Sequence, residues 1–184
     1  MSDRLGIRRA GVGEDHPVIE VLAEAGAFAA ARGFAQWPAR FSPSFVRGGI
    51  ERGEVYLAFL DDVAVATCWL LWSDPQFWGV DDGLAGYLHR LAVTDRFRGQ
   101  RLGQQVLDWA GAQVRQSGRR LLRLDCLAAN RPLRSWYERY GFVHQRDQVL
   151  AAAAVGSGTV SMTVSLYQLA LGPSFESRTP ATPQ

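Results

Sequence analysis

The chain of 184 residues has no lysine; all twenty of its basic side chains are arginine. Schiff-base and pyridoxal-phosphate chemistry needs a lysine amine and is excluded. The phosphate-loop nucleotidases are excluded too, because their glycine loop ends in Lys-Ser or Lys-Thr. A genome that prefers arginine codons would explain the bias without any functional cause. Cysteine is almost as scarce. Cys68 and Cys126 cannot build a disulfide scaffold or, unaided, a zinc site, so no metal is expected. No apolar run approaches the roughly 18–20 residues that a membrane-spanning helix needs. Residues 1–9 lack the charged start and apolar stretch of a signal peptide. These absences point to a reducing, cytoplasmic setting with no membrane partner.

What is present is an ordinary globular composition, 47% hydrophobic and 21% charged, with a net charge of +2. The length suits one domain, placed at residues 1–170, and the Pro-, Ser- and Thr-rich residues 171–184 read as a disordered tail. The charge is unevenly spread. Residues 96–139 hold ten arginines against Asp108, Asp125 and Glu138, while the remainder holds ten arginines against fifteen acids. Such a modest basic half suits a small anionic ligand better than nucleic acid, although a solvated surface would look the same.

Periodicity orders the chain as strand, two helices, three strands, helix, strand, helix, two strands. A strand at 5–9 leads to a helix opened by Asp15-His16-Pro17 and stopped near Gly33. A second helix covers about 42–52. Strands at 54–60 and 63–72 flank an Asp61-Asp62 turn, and residues 73–84 read as a polar, aromatic loop. A strand at 85–93, a helix at 102–116 and a strand at 121–127 follow. Next come a helix capped by Asn130, a strand at 142–149, an Ala- and Gly-rich connection at 150–158 and a strand at 159–169. The fold class is α/β: a single-domain, mixed sheet of about seven strands flanked by about four helices.

The chemistry concentrates in Tyr87-Leu88-His89-Arg90-Leu91-Ala92-Val93-Thr94-Asp95-Arg96-Phe97-Arg98-Gly99-Gln100-Arg101-Leu102-Gly103. A strand runs into a turn with two glycines and several arginines, and the turn opens a helix. Free amides at a helix start, the helix dipole and charge-assisted bonds from Arg96, Arg98 and Arg101 would suit a pyrophosphate. An ordinary strand-turn-helix connection remains the plainer alternative. Strand alternation would put Tyr87, His89, Leu91 and Val93 on one face. His89 is then the candidate base, because an imidazole near pKa 6.5 suits proton removal around neutrality. A simply packed histidine is the alternative.

A second pattern lies downstream: Leu122-Arg123-Leu124-Asp125-Cys126, then Asn130, then Tyr137-Glu138-Arg139-Tyr140-Gly141-Phe142. Together the two patterns resemble the GNAT superfamily of N-acetyltransferases. That family's acetyl-coenzyme A loop reads Arg/Gln-x-x-Gly-x-Gly/Ala, and its downstream signature is a strand, an Asn and Tyr-x-x-x-Gly-Phe. The resemblance runs from about 5 to 169 and is specific between 87 and 142. It implies acetyl-coenzyme A as cofactor and a mostly antiparallel central sheet. Backbone groups of Leu91, Ala92 and Val93 would meet the pantetheine arm, and the amide of Leu91 could polarise the acetyl carbonyl. Arg98, Gly99, Gln100, Arg101, Leu102 and Gly103 would hold the pyrophosphate, and Asn130 would contact the cofactor beside any capping role. Arg101 departs from the family's glycine. If that position needs a left-handed backbone, arginine costs on the order of 1 kcal/mol there.

The resemblance also implies direct acetyl transfer to an amine. Tyr137 falls at the tyrosine that protonates the departing thiolate, although Leu133, Trp136, Tyr137 and Tyr140 have packing periodicity as well. In one branch of the family a histidine at the place of His89 takes part in proton relay. Asp125 is a weaker candidate base or acceptor contact, and Cys126 reads as packing rather than a nucleophile. Phe34, Trp37, Arg40, Trp72, Phe77, Trp78 and Tyr87 would border the acceptor cleft or belong to the core, and Asp74, Asp81 and Asp82 could attract a cation. The partner expected is a small-molecule amine, with a peptide amine second, no nucleic acid, and a monomeric or homodimeric protein. The competing function is a non-catalytic acyl-coenzyme A-binding module.

Overall fold

Two aspartates make the first hairpin. Asp61 and Asp62 both take positive φ, 46° and 63°, as a two-residue primed turn requires to match the strand twist. They join β2 (Val55–Leu60) to β3 (Val63–Leu71) in antiparallel register. The computed structural model describes residues 5–155 and 158–172. Its seven strands form one sheet in the order β1-β2-β3-β4-β5-β7-β6. The others are β1 (Gly6–Arg9), β4 (Ala85–Val93), β5 (Leu121–Leu127), β6 (Val143–Val155) and β7 (Gly158–Ala170). All neighbours are antiparallel except β4 and β5.

Helices cover both faces. α1 (Asp15–Ala30) and α2 (Pro43–Glu51) pack one face through Val18, Leu22, Val46 and Ile50, against Leu57 and Trp69 of the sheet. α4 (Leu102–Gln116) and α5 (Arg131–Tyr140) pack the other through Val106, Leu107, Val114 and Tyr137, against Leu88, Leu122 and Leu124. Each such fully buried aliphatic side chain contributes about 1.5–3 kcal/mol. Gly86 lets α4 lie close to β4, since a Cβ there would sit 2.4 Å from Val114 Cγ2.

The sheet of seven strands agrees with the expected fold class, and the four expected helices are present. A fifth, α3 (Pro75–Trp78), is a single turn inside the expected loop at 73–84. One boundary differs more. β6 does not end at 149 but continues to Val155 against β7, with Ala153 opposite Val160. The Ala- and Gly-rich composition suggested a connection there, yet an adjacent strand supplies the hydrogen-bond partners that composition cannot show. The expected tail lies, from residue 173 onward, outside the described residues. Among the described residues no helix is long and apolar enough to cross a membrane.

Candidate active site

The parallel pair β4–β5 is bonded over only half its length. Register runs from Ala85–Leu121 to Leu88–Leu124 and stops there, although β4 continues to Val93 and β5 to Leu127. The strands separate beyond that point, so residues 89–93 of β4 have no partner on the β5 side. The last free β5 amide, Leu127 N–H, is capped by Gln36 Oε1 at 3.2 Å, from the segment between α1 and α2.

A bulge sits at the same point of β4. His89 pairs with Trp69 and Ala92 with Thr67, so Arg90 and Leu91 together oppose Cys68. Arg90 takes φ 50° to accommodate this. The inserted residue shifts the alternation by one position. His89 and Arg90 therefore both lie on the α1–α2 face, Arg90 against the ring of Trp69, while Leu91 and Val93 pack with the α4–α5 core. The expected single face carrying Tyr87, His89, Leu91 and Val93 does not occur. Leu91 and Val93 are still the residues whose backbone lines the separated half of β4.

His89 is held between two carboxylates. Its Nε2 lies 3.0 Å from Asp74 Oδ2 and its Nδ1 3.2 Å from Asp125 Oδ1. Phe77 lies beside the ring, centroid to centroid 5.8 Å. Burial alone would favour the neutral imidazole and is the largest single influence, but the bonds to Asp125 and Asp74 outweigh it and push the pKa up to about 9. The ordinary value near 6.5 therefore does not apply. Asp74 reaches the site from the N-terminal end of α3, and the bends around α3 are tied to β6 by Arg146 and Gln148, which donate to the carbonyls of Phe77 and Gln76.

On the other side of the sheet, Cys126 of β5 and Tyr137 of α5 lie in the α4–α5 core. Tyr137 is 6% exposed and packs on Phe142 and Tyr167. Burial raises its phenol pKa, so it stays protonated. No described residue accepts a hydrogen bond from its hydroxyl, which leaves a free donor beneath the opening. Cys126 is buried, and burial pushes its thiol to about 12, so it is inert packing. Asn130 caps α5: its side-chain oxygen accepts from Leu133 N–H at 3.2 Å.

β4 leads through a 3-10 turn at Asp95–Phe97 into the turn that opens α4. Arg101 is the N-cap at φ 61°, so arginine itself adopts the left-handed backbone that glycine usually supplies. Gly99 is also positive, at φ 77°, with open space beside it. The first amide of α4 with a helical acceptor is Gln105, which donates to Arg101. The amides of Gly99, Gln100, Arg101, Leu102, Gly103 and Gln104 have no acceptor among the described residues. Gly103 is where Trp136 of α5 closes in: a Cβ there would meet its ring at 3.3 Å. The turn is anchored to α1, with Glu24 accepting from Asp95 N–H at 2.6 Å and the Arg98 guanidinium 3.4 Å from the Phe28 ring centroid. These amides, the helix dipole and the nearby arginines form a cradle that fits a pyrophosphate.

The acceptor candidates divide. Asp125, Tyr87 and Trp78 lie together on the His89 face, with Arg123 bonded to Tyr87 Oη at 3.2 Å and 4.7 Å from the Trp78 ring. Tyr87 is 1% exposed and forms the floor rather than an open wall. Trp37 packs beside Phe41 in the α1–α2 layer. Trp72 is a correction. It lies on the opposite face, over Gly86 and below Arg119, because alternation carries it to the side of Cys68 and Leu70, which pack toward α4. Asp81 and Asp82 cap their own turn and pair with Arg119 and Arg123, so of the three loop aspartates Asp74 alone reaches the site. No sequence motif marks Arg90. Nothing in a one-dimensional pattern marks a bulge, and only its place beside His89 could have drawn notice.

Comparison with known proteins agrees with this fold. The acetyltransferase (GNAT) domain profile matches residues 51–144, from the end of α2 into β6. The uncharacterized N-acetyltransferase YesJ of Bacillus subtilis (strain 168) is 41% identical over 104 residues, covering 53% of this chain and 57% of that protein. The chain thus matches less than two thirds of that relative's length. Among solved structures, the ribosomal-protein-S18-alanine N-acetyltransferase of Escherichia coli superposes with TM-score 0.67 at 15% identity, covering 95% of this chain and 98% of its own. A GNAT family acetyltransferase of Elizabethkingia anophelis with acetyl-CoA bound superposes with TM-score 0.63 at 16% identity, covering 92% and 100%. At these identities the structural matches speak for the fold alone. The profile spans half the chain and takes in the separated strands, the bulge and the amide turn, and on that ground this chain belongs to the GNAT acetyltransferase family.

Proposed function

We propose that the protein is an N-acetyltransferase that takes acetyl-CoA as donor and a primary amine of a small molecule as acceptor. One observation carries the reading. β4 and β5 part after the Leu88–Leu124 pair, with the Asp74–His89–Asp125 cluster at the point of parting, and β4 runs on from there to the unpaired amides of 99–104. The amides of Gly99 to Gln104, with Arg96 and Arg101 nearby, bind the pyrophosphate. The free backbone edge of Leu91–Val93 takes the pantetheine arm as an added half-strand would, and Asn130 contacts it. Acetyl-CoA supplies an acyl group activated as a thioester.

His89 takes a proton from the incoming ammonium. An alkylammonium titrates near 10.4 and an ordinary imidazole near 6.5, so proton transfer between them is uphill by about 4 units. Raised to about 9, His89 narrows that gap to about 1.4 units. In return, only about one molecule in a hundred has His89 neutral at pH 7. The neutral amine attacks the thioester carbonyl, the C–S bond breaks, and the thiolate takes a proton from Tyr137, whose hydroxyl stays protonated and has no other acceptor among the described residues, although burial makes it a weaker acid. The nitrogen gives up its second proton to water or to the emptied site.

The test is acetyl-CoA binding followed by thiol release over an amine panel. Acetyl-CoA at a hundred times its Kd should add about 2.7 kcal/mol of thermal stability. With an accepted amine, log kcat/KM should rise with pH to a limb near 9, and Asp74→Asn should move that limb downward. Stabilisation by acetyl-CoA without thiol release toward any amine would instead identify a binding module.

A further inference from the structure

Resting on that reading and deepening it, we propose that the acceptor carries a carboxylate near its amine and that Arg90 binds this carboxylate in the wall of the cleft beside His89. The bulge is the starting point. In a regular strand Arg90 would point to the α4 face, but at φ 50° it shares the face of His89. A left-handed arginine is strained, and such strain persists where surrounding structure imposes it.

Three rings surround the guanidinium: Phe45 at 4.9 Å, Trp69 at 5.4 Å and Phe41 at 5.8 Å. Rings can hold a cation but satisfy none of its five N–H donors in the way an anion does. Among the described residues Arg90 makes no hydrogen bond and no ion pair. The carboxylates that act on it through space are Asp125, Glu54 and Asp74. Each is already engaged, Asp125 and Asp74 by His89 and Glu54 by Arg52 at 2.9 Å. By contrast Arg119, Arg123 and Arg134 all donate to oxygens. Arg90 is thus a partly buried, positioned and unpaired fork, and a planar carboxylate is the group that fits it two-pronged.

The charges agree. Arg90 and protonated His89 balance Asp74 and Asp125, so the cluster is neutral. A zwitterionic acceptor adds no net charge: its carboxylate meets Arg90 and its ammonium meets the carboxylate side of the cluster, beside the base.

The experiment compares α-, β- and γ-amino acids, each beside its own carboxamide, in acetyl-CoA-dependent thiol release by the wild type, Arg90→Gln and Arg90→Lys. At least one acid should exceed its amide by 100-fold in kcat/KM. Arg90→Gln should collapse that ratio toward one, and Arg90→Lys should recover part of it. The chain length preferred sets the spacing between amine and carboxylate. Thermal melts of the variants separate this from packing, because a purely structural arginine would lower both substrates together and keep the ratio. A preserved ratio in Arg90→Gln, or amides used as well as acids throughout, overturns the proposal. If plain amines release thiol and no amino acid does, the carboxylate is refuted while acetyl transfer stands. If no amine of any kind does so, acetyl transfer itself fails and the carboxylate with it.

Discussion

The two halves of the β4–β5 pair differ in almost every respect. From Ala85 to Leu88 the strands are bonded to each other, and Leu88, Leu122 and Leu124 are at most 2% exposed. From His89 onward they separate, and the side chains on the α1–α2 face turn to His89, Arg90 and Asp125. The bonded half draws its stability from apolar burial, whereas the open half spends backbone pairing, strain at Arg90 and buried charge to create a cleft. The lesson is that one strand can be scaffold and site in succession, with a single inserted residue marking the change.

That contrast can be broken at either half. The largest effect is expected at the site: His89→Gln should lower kcat/KM by about 10²–10⁴, the range of general acid–base groups, in steady-state thiol release. Leu124→Ala, one residue before Asp125, should cost about 2–5 kcal/mol of unfolding free energy in urea titrations and leave acetyl-CoA affinity per folded molecule unchanged. The pH dependence sharpens the comparison. His89 has a folded pKa raised to about 9, so its contribution to stability is complete below about 6.5. It is lost as pH rises through about 9. Urea midpoints should fall across that window in the wild type and fall less in Asp74→Asn. Smaller again, Arg101→Gly should relieve the left-handed N-cap and raise stability by at most about 1 kcal/mol, read from the same titrations. Smallest of all, Glu14→Gln breaks the surface pair with Arg8, whose side chain is 54% exposed. It should change stability by less than about 1 kcal/mol.

Much of this was legible beforehand. The spans 85–93, 102–116 and 121–127 coincide with β4, α4 and β5 because their apolar periods are long and their stops are glycines or charged turns. His89, Asp125 and the 98–103 turn could be singled out because chemistry-bearing residue types stand beside recognisable element ends. The rest depends on three-dimensional neighbours. The shared face of His89 and Arg90 follows from two residues of β4 opposing one of β3, a register fact with no local signature. Asp74 stood among three loop aspartates, and only the folding of α3 onto β6 selects it. The family resemblance puts Trp72 at the cleft wall, but side-chain direction assigns it to the other layer. Residues 150–155 pair as strand although their alanines carry little preference of their own.

The bulge also constrains how this chain can vary. It is a phase slip of one residue, and the direction of each later side chain in β4, as well as the point at which the chain turns into α4, is counted from it. Replacing the amino acid at position 90 changes one side chain. Removing it would pair His89, Leu91, Ala92 and Val93 with Trp69, Cys68, Thr67 and Ala66 in regular alternation, closing the bulge but keeping those three later side chains on their faces. Inserting a further residue would instead turn them over unless the bulge widened, so β4 should tolerate loss of a residue here better than gain of one.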